Sequence, residues 1–124
     1  MIEYTVRVYP SGSKFWYLND KCHREDGPVY EGANGNKSWY LNDKLHREDG
    51  PAVEWANGTK FWSLNGKLHR EDGPAMEWAD GDKEWWLNGE KVAEEEHKLM
   101  TSPIVEMTVA EISKALGKQV KVVG

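Results

Sequence analysis

Cysteine is almost absent from this 124-residue chain: Cys22 stands alone, so no internal disulfide can form and a reducing compartment fits. Long apolar runs are missing too. No stretch approaches the roughly 20 apolar residues that a membrane-spanning helix needs. The opening Met-Ile-Glu-Tyr-Thr-Val has neither the basic nor the apolar region of a secretory leader. Basic charge is not in excess: 16 Lys and Arg stand against 21 Asp and Glu, a net charge of −5. That argues against general nucleic-acid binding, which needs a basic surface. These absences lead to the expectation of a soluble protein of the cytoplasm, its own or a host's, with no membrane partner. The length is that of one domain with room for a small appendage. What is present is tryptophan, seven residues of it in a chain of mean hydropathy −0.78. Disordered chains avoid aromatics, so something here folds around indole rings.

Their spacing is regular. Trp16, Trp39, Trp62 and Trp85 recur at a constant interval of 23 residues. Leu18, Leu41, Leu64 and Leu87 keep the same step, as do Asn19, Asn42, Asn65 and Asn88, and Lys14, Lys37, Lys60 and Lys83. Between them His-Arg-Glu-Asp-Gly-Pro occurs three times, beginning at His23, His46 and His69. A fourth copy would begin at Val92, where Val-Ala-Glu-Glu-Glu has lost the motif. Tandem repeats therefore occupy 1–89, and a different texture fills 90–124.

Each unit reads as strands. Runs such as Phe15 to Leu18 are aromatic and apolar, and Asn-Asp or Asn-Gly follows each. Asn65-Gly66 and Asn88-Gly89 are type I′ hairpin signals, because that turn needs positive φ at both central residues. Asn34-Gly35, Asn57-Gly58 and Asp80-Gly81 are expected to turn in the same way. The longer segments contain Asp-Gly-Pro, as at Asp49 to Pro51, where a kink or bulge is expected. The fold class that follows is mainly β, an antiparallel meander of successive hairpins.

Strand alternation puts Trp39 and Leu41 on one face and Ser38 and Tyr40 on the other. The Trp/Leu face hardly changes between units and reads as structural packing. The other face varies from copy to copy: Phe15/Tyr17, Ser38/Tyr40, Phe61/Ser63, Glu84/Trp86. In the neighbouring strand Val53/Trp55 and Met76/Trp78 repeat an apolar pair, whereas Tyr30/Gly32 predicts a gap beside Trp55 or Trp16.

The tail reads differently. Val92 to Met100 is charged and helical in texture, and Thr101-Ser102-Pro103 breaks it. Thr108 and Glu111 have the form of a capping box, with Val109, Ile112, Ala115 and Leu116 as the stripe of a helix that Gly117 ends. Gln119 to Val123 reads as a closing strand, so a small C-terminal helix-plus-strand cap is expected. A helix-turn-helix fails here because a strand-like run stands where the recognition helix would be.

The 23-residue unit, its aromatic hairpin and its Asn-Gly turns resemble MORN-type repeats, which are single-sheet β-meanders. The run from Trp39 to Trp55, Trp-Tyr-Leu-Asn-Asp-Lys-Leu-His-Arg-Glu-Asp-Gly-Pro-Ala-Val-Glu-Trp, is similar to a variant found in phage, prophage and large-virus proteins. The Met107 to Val123 ending is similar to one that such viral proteins carry. The usual MORN glycine pairs are replaced by the charged His-Arg-Glu-Asp insert, so lipid binding does not carry over. The family has no common biochemical activity, and the resemblance speaks to fold before function.

The charged insert invites a catalytic or metal reading, and geometry argues against one. Equivalent positions one unit apart lie roughly 10 Å apart, being two strand spacings of about 4.8 Å. His23, His46 and His69 cannot converge on one Zn²⁺, whose ligands sit at about 2 Å. Catalysis normally needs one asymmetric constellation, and none stands out from the repeats. Cys22 holds the position of Leu45 and Leu68 and reads as a small hydrophobe. Asp80-Gly81-Asp82 is matched by Asn57-Gly58-Thr59 and reads as a turn, not a Ca²⁺ loop.

Two readings of the insert remain. Arg24, Arg47 and Arg70 form a ladder with carboxylates of the same or the adjacent unit. Alternatively, Arg24, Arg47, Arg70, His23, His46 and His69 join Tyr17, Tyr40, Phe61 and Trp86 in a row that grips an extended partner. The expected function is a non-enzymatic, cofactor-free protein-binding module, phage- or prophage-encoded, acting on a host or phage protein and inhibiting a defence or regulatory factor. The alternative is a sponge for a small ligand or nucleotide signal held between aromatics and arginines. Homodimerisation through an apolar sheet face is a further expectation.

Overall fold

A computed structural model of the chain describes residues 2–102. The chain enters on β1 (Thr5–Val8). The first unit supplies a long strand, β2 (Lys14–Leu18), its hairpin partner β3 (Lys21–Cys22), and a return strand β4 (Tyr30–Glu31) after the charged insert. In the second unit the long strand breaks at Trp39 into β5 (Lys37–Ser38) and β6 (Tyr40–Leu41), followed by β7 (Lys44–Leu45) and β8 (Val53–Glu54). The third unit breaks likewise at Trp62, giving β9 (Lys60–Phe61), β10 (Ser63–Leu64), β11 (Lys67–Leu68) and β12 (Met76–Glu77). In the fourth, β13 (Lys83–Leu87) is whole; β14 (Glu90–Val92) closes its hairpin, and α1 (Glu94–Thr101) follows.

All pairings are antiparallel, and they run in two lines. The first halves of the long strands alternate with the return strands in one sheet, ordered β1-β2-β4-β5-β8-β9-β12-β13-β14, with β3 beside β2. The second halves form hairpins, β2/β3, β6/β7, β10/β11 and β13/β14. Backbone bonds stitch successive hairpins together: Asp43 N–H donates to the Cys22 carbonyl at 2.8 Å, and Gly66 and Gly89 N–H to those of Leu45 and Leu68 at 2.9 Å. The expected mainly-β meander with a helical cap is what the chain forms. Three glutamates, Glu94, Glu95 and Glu96, lie in the first turn of α1, where carboxylates offset the positive end of a helix. The expected helix at 109–117 and strand at 119–123 lie outside the described residues.

The turns are of two kinds, not one. Asn65 and Gly66 have φ of 51° and 80°, Asn88 and Gly89 have 50° and 81°, and Asn42 and Asp43 have 49° and 66°, as a type I′ turn requires. The turns at Asn34, Asn57 and Asp80 depart from the expectation. There only the glycine has positive φ, 96° at Gly35, 97° at Gly58 and 96° at Gly81. Gly58 N–H closes a four-residue turn on the Trp55 carbonyl at 3.0 Å, and Trp55 N–H reaches the Thr59 carbonyl at 2.9 Å. This is a type I turn followed by a left-handed glycine, the G1-bulge hairpin. The side chain decides between them: Asn57 Oδ1 accepts the Thr59 N–H at 2.9 Å, an Asx bond that holds Asn57 out of the left-handed region.

The core is a column, not a ball. Val29, Ala52 and Ala75 recur at the 23-residue step and are all 0% exposed. Across the main sheet the strands also match charge. Lys14 stands opposite Glu31, Glu31 opposite Lys37, Lys37 opposite Glu54, and the alternation continues through Lys60 and Glu77 to Lys83. Opposite charges facing each other across strands stabilise register by about 0.2–1 kcal/mol each, so this row disfavours slippage.

Candidate interaction faces

The His-Arg-Glu-Asp-Gly-Pro insert folds into a clasp around each tryptophan. Arg24, Arg47 and Arg70 place their guanidinium carbons 3.6, 3.8 and 3.8 Å from the ring centres of Trp16, Trp39 and Trp62. In the second clasp Arg47 Nε donates to Asp49 at 3.0 Å, and Nη1 donates to the Pro51 carbonyl at 3.1 Å and to Glu54 at 3.3 Å. The first and third clasps repeat all three bonds. Glycine makes room behind the guanidinium: a Cβ on Gly27, Gly50 or Gly73 would lie 2.8, 3.1 or 2.9 Å from the arginine Cζ. Arginine, aspartate, glycine and the proline carbonyl of the motif are thus accounted for by one stacked cation. Of the two expected ladders, these bonds form the one within a unit; each arginine pairs with carboxylates of its own repeat.

Histidine makes the link between units. His23, His46 and His69 Nδ1 each accept a backbone N–H from the next turn, that of Asn42, Asn65 and Asn88, at 2.9 Å. Such a bond needs a free lone pair on Nδ1 and so places the ring proton on Nε2. Nε2 in turn faces Glu25, Glu48 and Glu71 at 3.5, 3.6 and 3.8 Å. Arg24, Arg47 and Arg70 N–H add bonds to the carbonyls of Tyr40, Ser63 and Trp86. At the ends of the array other residues take over. Tyr4 packs edge-on to Trp16 and its hydroxyl accepts the Glu25 N–H at 3.1 Å. His97 of α1, 3% exposed, brings Nε2 to the Arg70 carbonyl at 2.6 Å.

The opposite face is aromatic. Phe15 and Tyr17 alternate with Trp16 along β2, so they point away from the clasp. Around Phe15 gather Tyr30 at 4.7 Å, Tyr9 at 5.7 Å and Tyr17 at 6.5 Å between ring centres, with Arg7 5.0 Å over Tyr17. Tyr9, Phe15, Tyr30 and Tyr40 line one open groove with Ser38 and Cys22. Farther along, Phe61 sits between Trp55 and Trp78, at 5.4 and 5.9 Å. Trp86 donates its Nε1–H to Glu84 at 3.0 Å. The gap expected beside Gly32 is absent, because Tyr30 folds into it: a Cβ there would meet the Tyr30 hydroxyl at 2.7 Å.

The expected gripping row therefore divides. Tyr17, Tyr40, Phe61 and Trp86 lie on the aromatic face. Arg24, Arg47, Arg70, His23, His46 and His69 lie on the clasp face and are engaged in the fold. The alternation of Phe15, Trp16 and Tyr17 keeps the two sets on opposite sides of the sheet. Arg7 and Tyr9 join the aromatic face without having been singled out in the sequence. Carrying the 23-residue step backwards would have found them, since Tyr9 holds the position of Gly32, Trp55 and Trp78.

Cys22 is half-buried beside Asp43, which accepts the Cys22 N–H at 2.6 Å. Burial pushes its thiol up, and the Asp43 carboxylate adds to the shift. Among the described residues, no three His, Cys, Asp or Glu side chains gather as a metal site would require, and no helix is long and apolar enough to cross a membrane. Comparison of the chain with family models, with curated proteins and with solved structures returned no match.

Proposed function

We propose that the chain is a non-enzymatic protein-binding module whose partner lies against the aromatic face. The observation that carries this is the gathering of four of the five tyrosines, Tyr9, Tyr17, Tyr30 and Tyr40, with Phe15 and Arg7, on the first repeat and a half. Tyrosine supplies large, rigid contact area with a polar tip at low entropic cost, and with arginine it is the mix enriched where proteins recognise proteins. Sequence variation between units supports the same face. Structural residues recur at every step, whereas Phe15/Tyr17, Ser38/Tyr40 and Phe61/Ser63 differ. A nucleotide sponge would call on the arginines, and these already stack on tryptophan and bond to carboxylates. The resemblance to viral repeat proteins favours a host protein as the partner.

Site-specific photo-crosslinking tests the reading. Benzoylphenylalanine replaces Tyr17 on the aromatic face in one variant and Glu48 on the clasp face in another, each expressed in bacterial cells. The Tyr17 variant is expected to yield a discrete protein adduct that the Glu48 variant does not. Adducts from Glu48 alone, or from neither position, would overturn the proposal.

A further inference from the structure

β1 differs from the return strands inside the array in its number of neighbours. β4, β8 and β12 each lie between two strands, whereas β1 pairs with β2 and carries no strand on its outer side among the described residues. In register it is their equal. Arg7 stands opposite Phe15 and Val8 opposite Lys14, as Tyr30 and Glu31 do on the other side of β2.

Sheets commonly guard an open edge with charge, proline or a bulge. On β1 the outward positions are apolar. Tyr9 N–H donates to the Ser13 carbonyl at 2.9 Å across the β1–β2 hairpin. Backbone groups along an antiparallel strand point alternately to either side, so Thr5 and Arg7 also bond towards β2, and Val6 and Val8 present N–H and C=O outward. Val6 and Val8 are 37% and 64% exposed, and Val8 stands where the interior strands have Glu31, Glu54 and Glu77.

The residues before β1 continue its alternation. Tyr4 lies against Trp16, on the side of Val6 and Val8, which puts Glu3 on the aromatic side with Thr5 and Arg7. Residues 2–8 then read Ile-Glu-Tyr-Thr-Val-Arg-Val, a run that is its own complement when reversed. Laid antiparallel on itself about Thr5, it sets Glu3 opposite Arg7, Ile2 opposite Val8 and Tyr4 opposite Val6, each twice. Centring on Glu3 or Arg7 would oppose like charges, and centring on Tyr4 or Val6 would set a charge against Thr5. Glu3 and Arg7 are both exposed, and neither stands in an ion pair among the described residues.

We propose that two copies of the chain join edge to edge, residues 2–8 of one pairing antiparallel with residues 2–8 of the other about a two-fold axis at Thr5. The backbone suits this register. Ile2, Tyr4, Val6 and Val8 share the outward phase, so Tyr4 with Val6 and Ile2 with Val8 exchange N–H···O=C bonds. Glu3 with Arg7 is then a non-hydrogen-bonded pair, the kind whose Cα atoms approach to about 4.5 Å and whose side chains lie closest. Opposed residues of an antiparallel pair share a face, so the joint sets the aromatic clusters of both copies on one side of a continuous sheet. The contact uses the same patch on both copies and closes at two. It goes beyond the partner reading and does not depend on it.

Sedimentation of the purified chain from micromolar to millimolar concentration tests this. Mass should rise with concentration and level off at two copies. Arg7→Glu sets glutamate against Glu3, and Glu3→Arg sets arginine against Arg7, so each should weaken association about tenfold. An equimolar mixture of the two variants should pair as the parent does, because each supplies the charge the other lacks. The chain carrying both reversals restores the pairs within one species and should also associate like the parent. A chain that stays monomeric, growth beyond two copies, or reversals that neither weaken nor rescue association overturns the proposal. Exchange of the Val6 and Val8 amides identifies the occupant. Protection that grows with concentration supports a second copy, while full protection in the monomer assigns the edge to the chain's own residues and overturns it.

Discussion

Replacing Arg47 by lysine keeps the charge and removes the plane on which the clasp depends. The guanidinium stacks 3.8 Å over Trp39 while Nε and Nη1 reach Asp49, the Pro51 carbonyl and Glu54 in three directions. A lysine ammonium concentrates its donors at one point and cannot serve Asp49 and Pro51 from one stacked position. The side chain of Arg47 is 22% exposed and that of Asp49 is 87% exposed, so the Asp49 pair contributes little by itself. The loss falls on the Pro51 hydrogen bond, about 1 kcal/mol, and on the cation–π stack, about 1 kcal/mol more. A loss of about 2 kcal/mol lowers the thermal midpoint of a chain this size by about 8 °C, read by circular dichroism. Glu48→Ala is the control. Its side chain is 84% exposed and beside the clasp, and the change should stay within about 0.5 kcal/mol of the parent. A double-mutant cycle of Arg47→Lys with Trp39→Leu should return a coupling of about 1 kcal/mol. Equal midpoints for Arg47→Lys and Glu48→Ala, or no coupling to Trp39, would refute the clasp as the reason for the motif.

Three further outcomes are expected. His46→Ala leaves the Asn65 N–H without its acceptor, so the Asn65 amide should exchange faster with solvent while the Trp62 amide, bonded to Ala75, holds; an unchanged Asn65 rate would remove histidine from the link between units. The raised Cys22 thiol should react with iodoacetamide at pH 8 more slowly than a free cysteine, and Asp43→Asn, which keeps an acceptor for the Cys22 N–H, should quicken it; equal rates in the two proteins would exclude Asp43 as a cause. The hydrogen bond from Arg70 holds the Asp72 carboxyl below its usual value. Because the folded carboxyl is the stronger acid, its contribution is present above the unfolded value of about 3.9 and fades as pH falls through the lower folded one. Carboxyl titration by NMR should therefore place Asp72 lower in the parent than in Arg70→Lys, and coincident curves would contradict the assignment.

Much of the fold was legible because the sequence says the same thing several times. A tryptophan every 23 residues, an Asn-centred turn after each and alternation between them leave little choice but hairpins in series. The type I′ turns followed from Asn-Gly alone, since few residues adopt positive φ at both positions. Asn57-Gly58 misled by the same rule. Its local sequence is the same dipeptide, and the Asx bond that the Thr59 N–H donates to Asn57 Oδ1 selects the other turn. Gly32 misled for a different reason: a missing side chain predicts a hole only when no neighbour can swing into it, and Tyr30 does.

The candidate site was half legible. Variation between copies pointed to Tyr17, Tyr40, Phe61 and Trp86, and alternation gave them a common face. That His23 and Arg24 belong to the other side did not follow from sequence. Both lie beyond the end of β3, where period-2 reasoning lapses, and only the turn of the insert back over Trp16 places them.

The sequence by itself determined the period, the strands and the step at which Lys14, Lys37, Lys60 and Lys83 recur, because each rests on local geometry repeated at a fixed interval. Tertiary structure decided what the charged insert does. A guanidinium can stack, pair or bind, and its neighbours in space choose among these: the tryptophan below, the glycine behind and the proline carbonyl beside it.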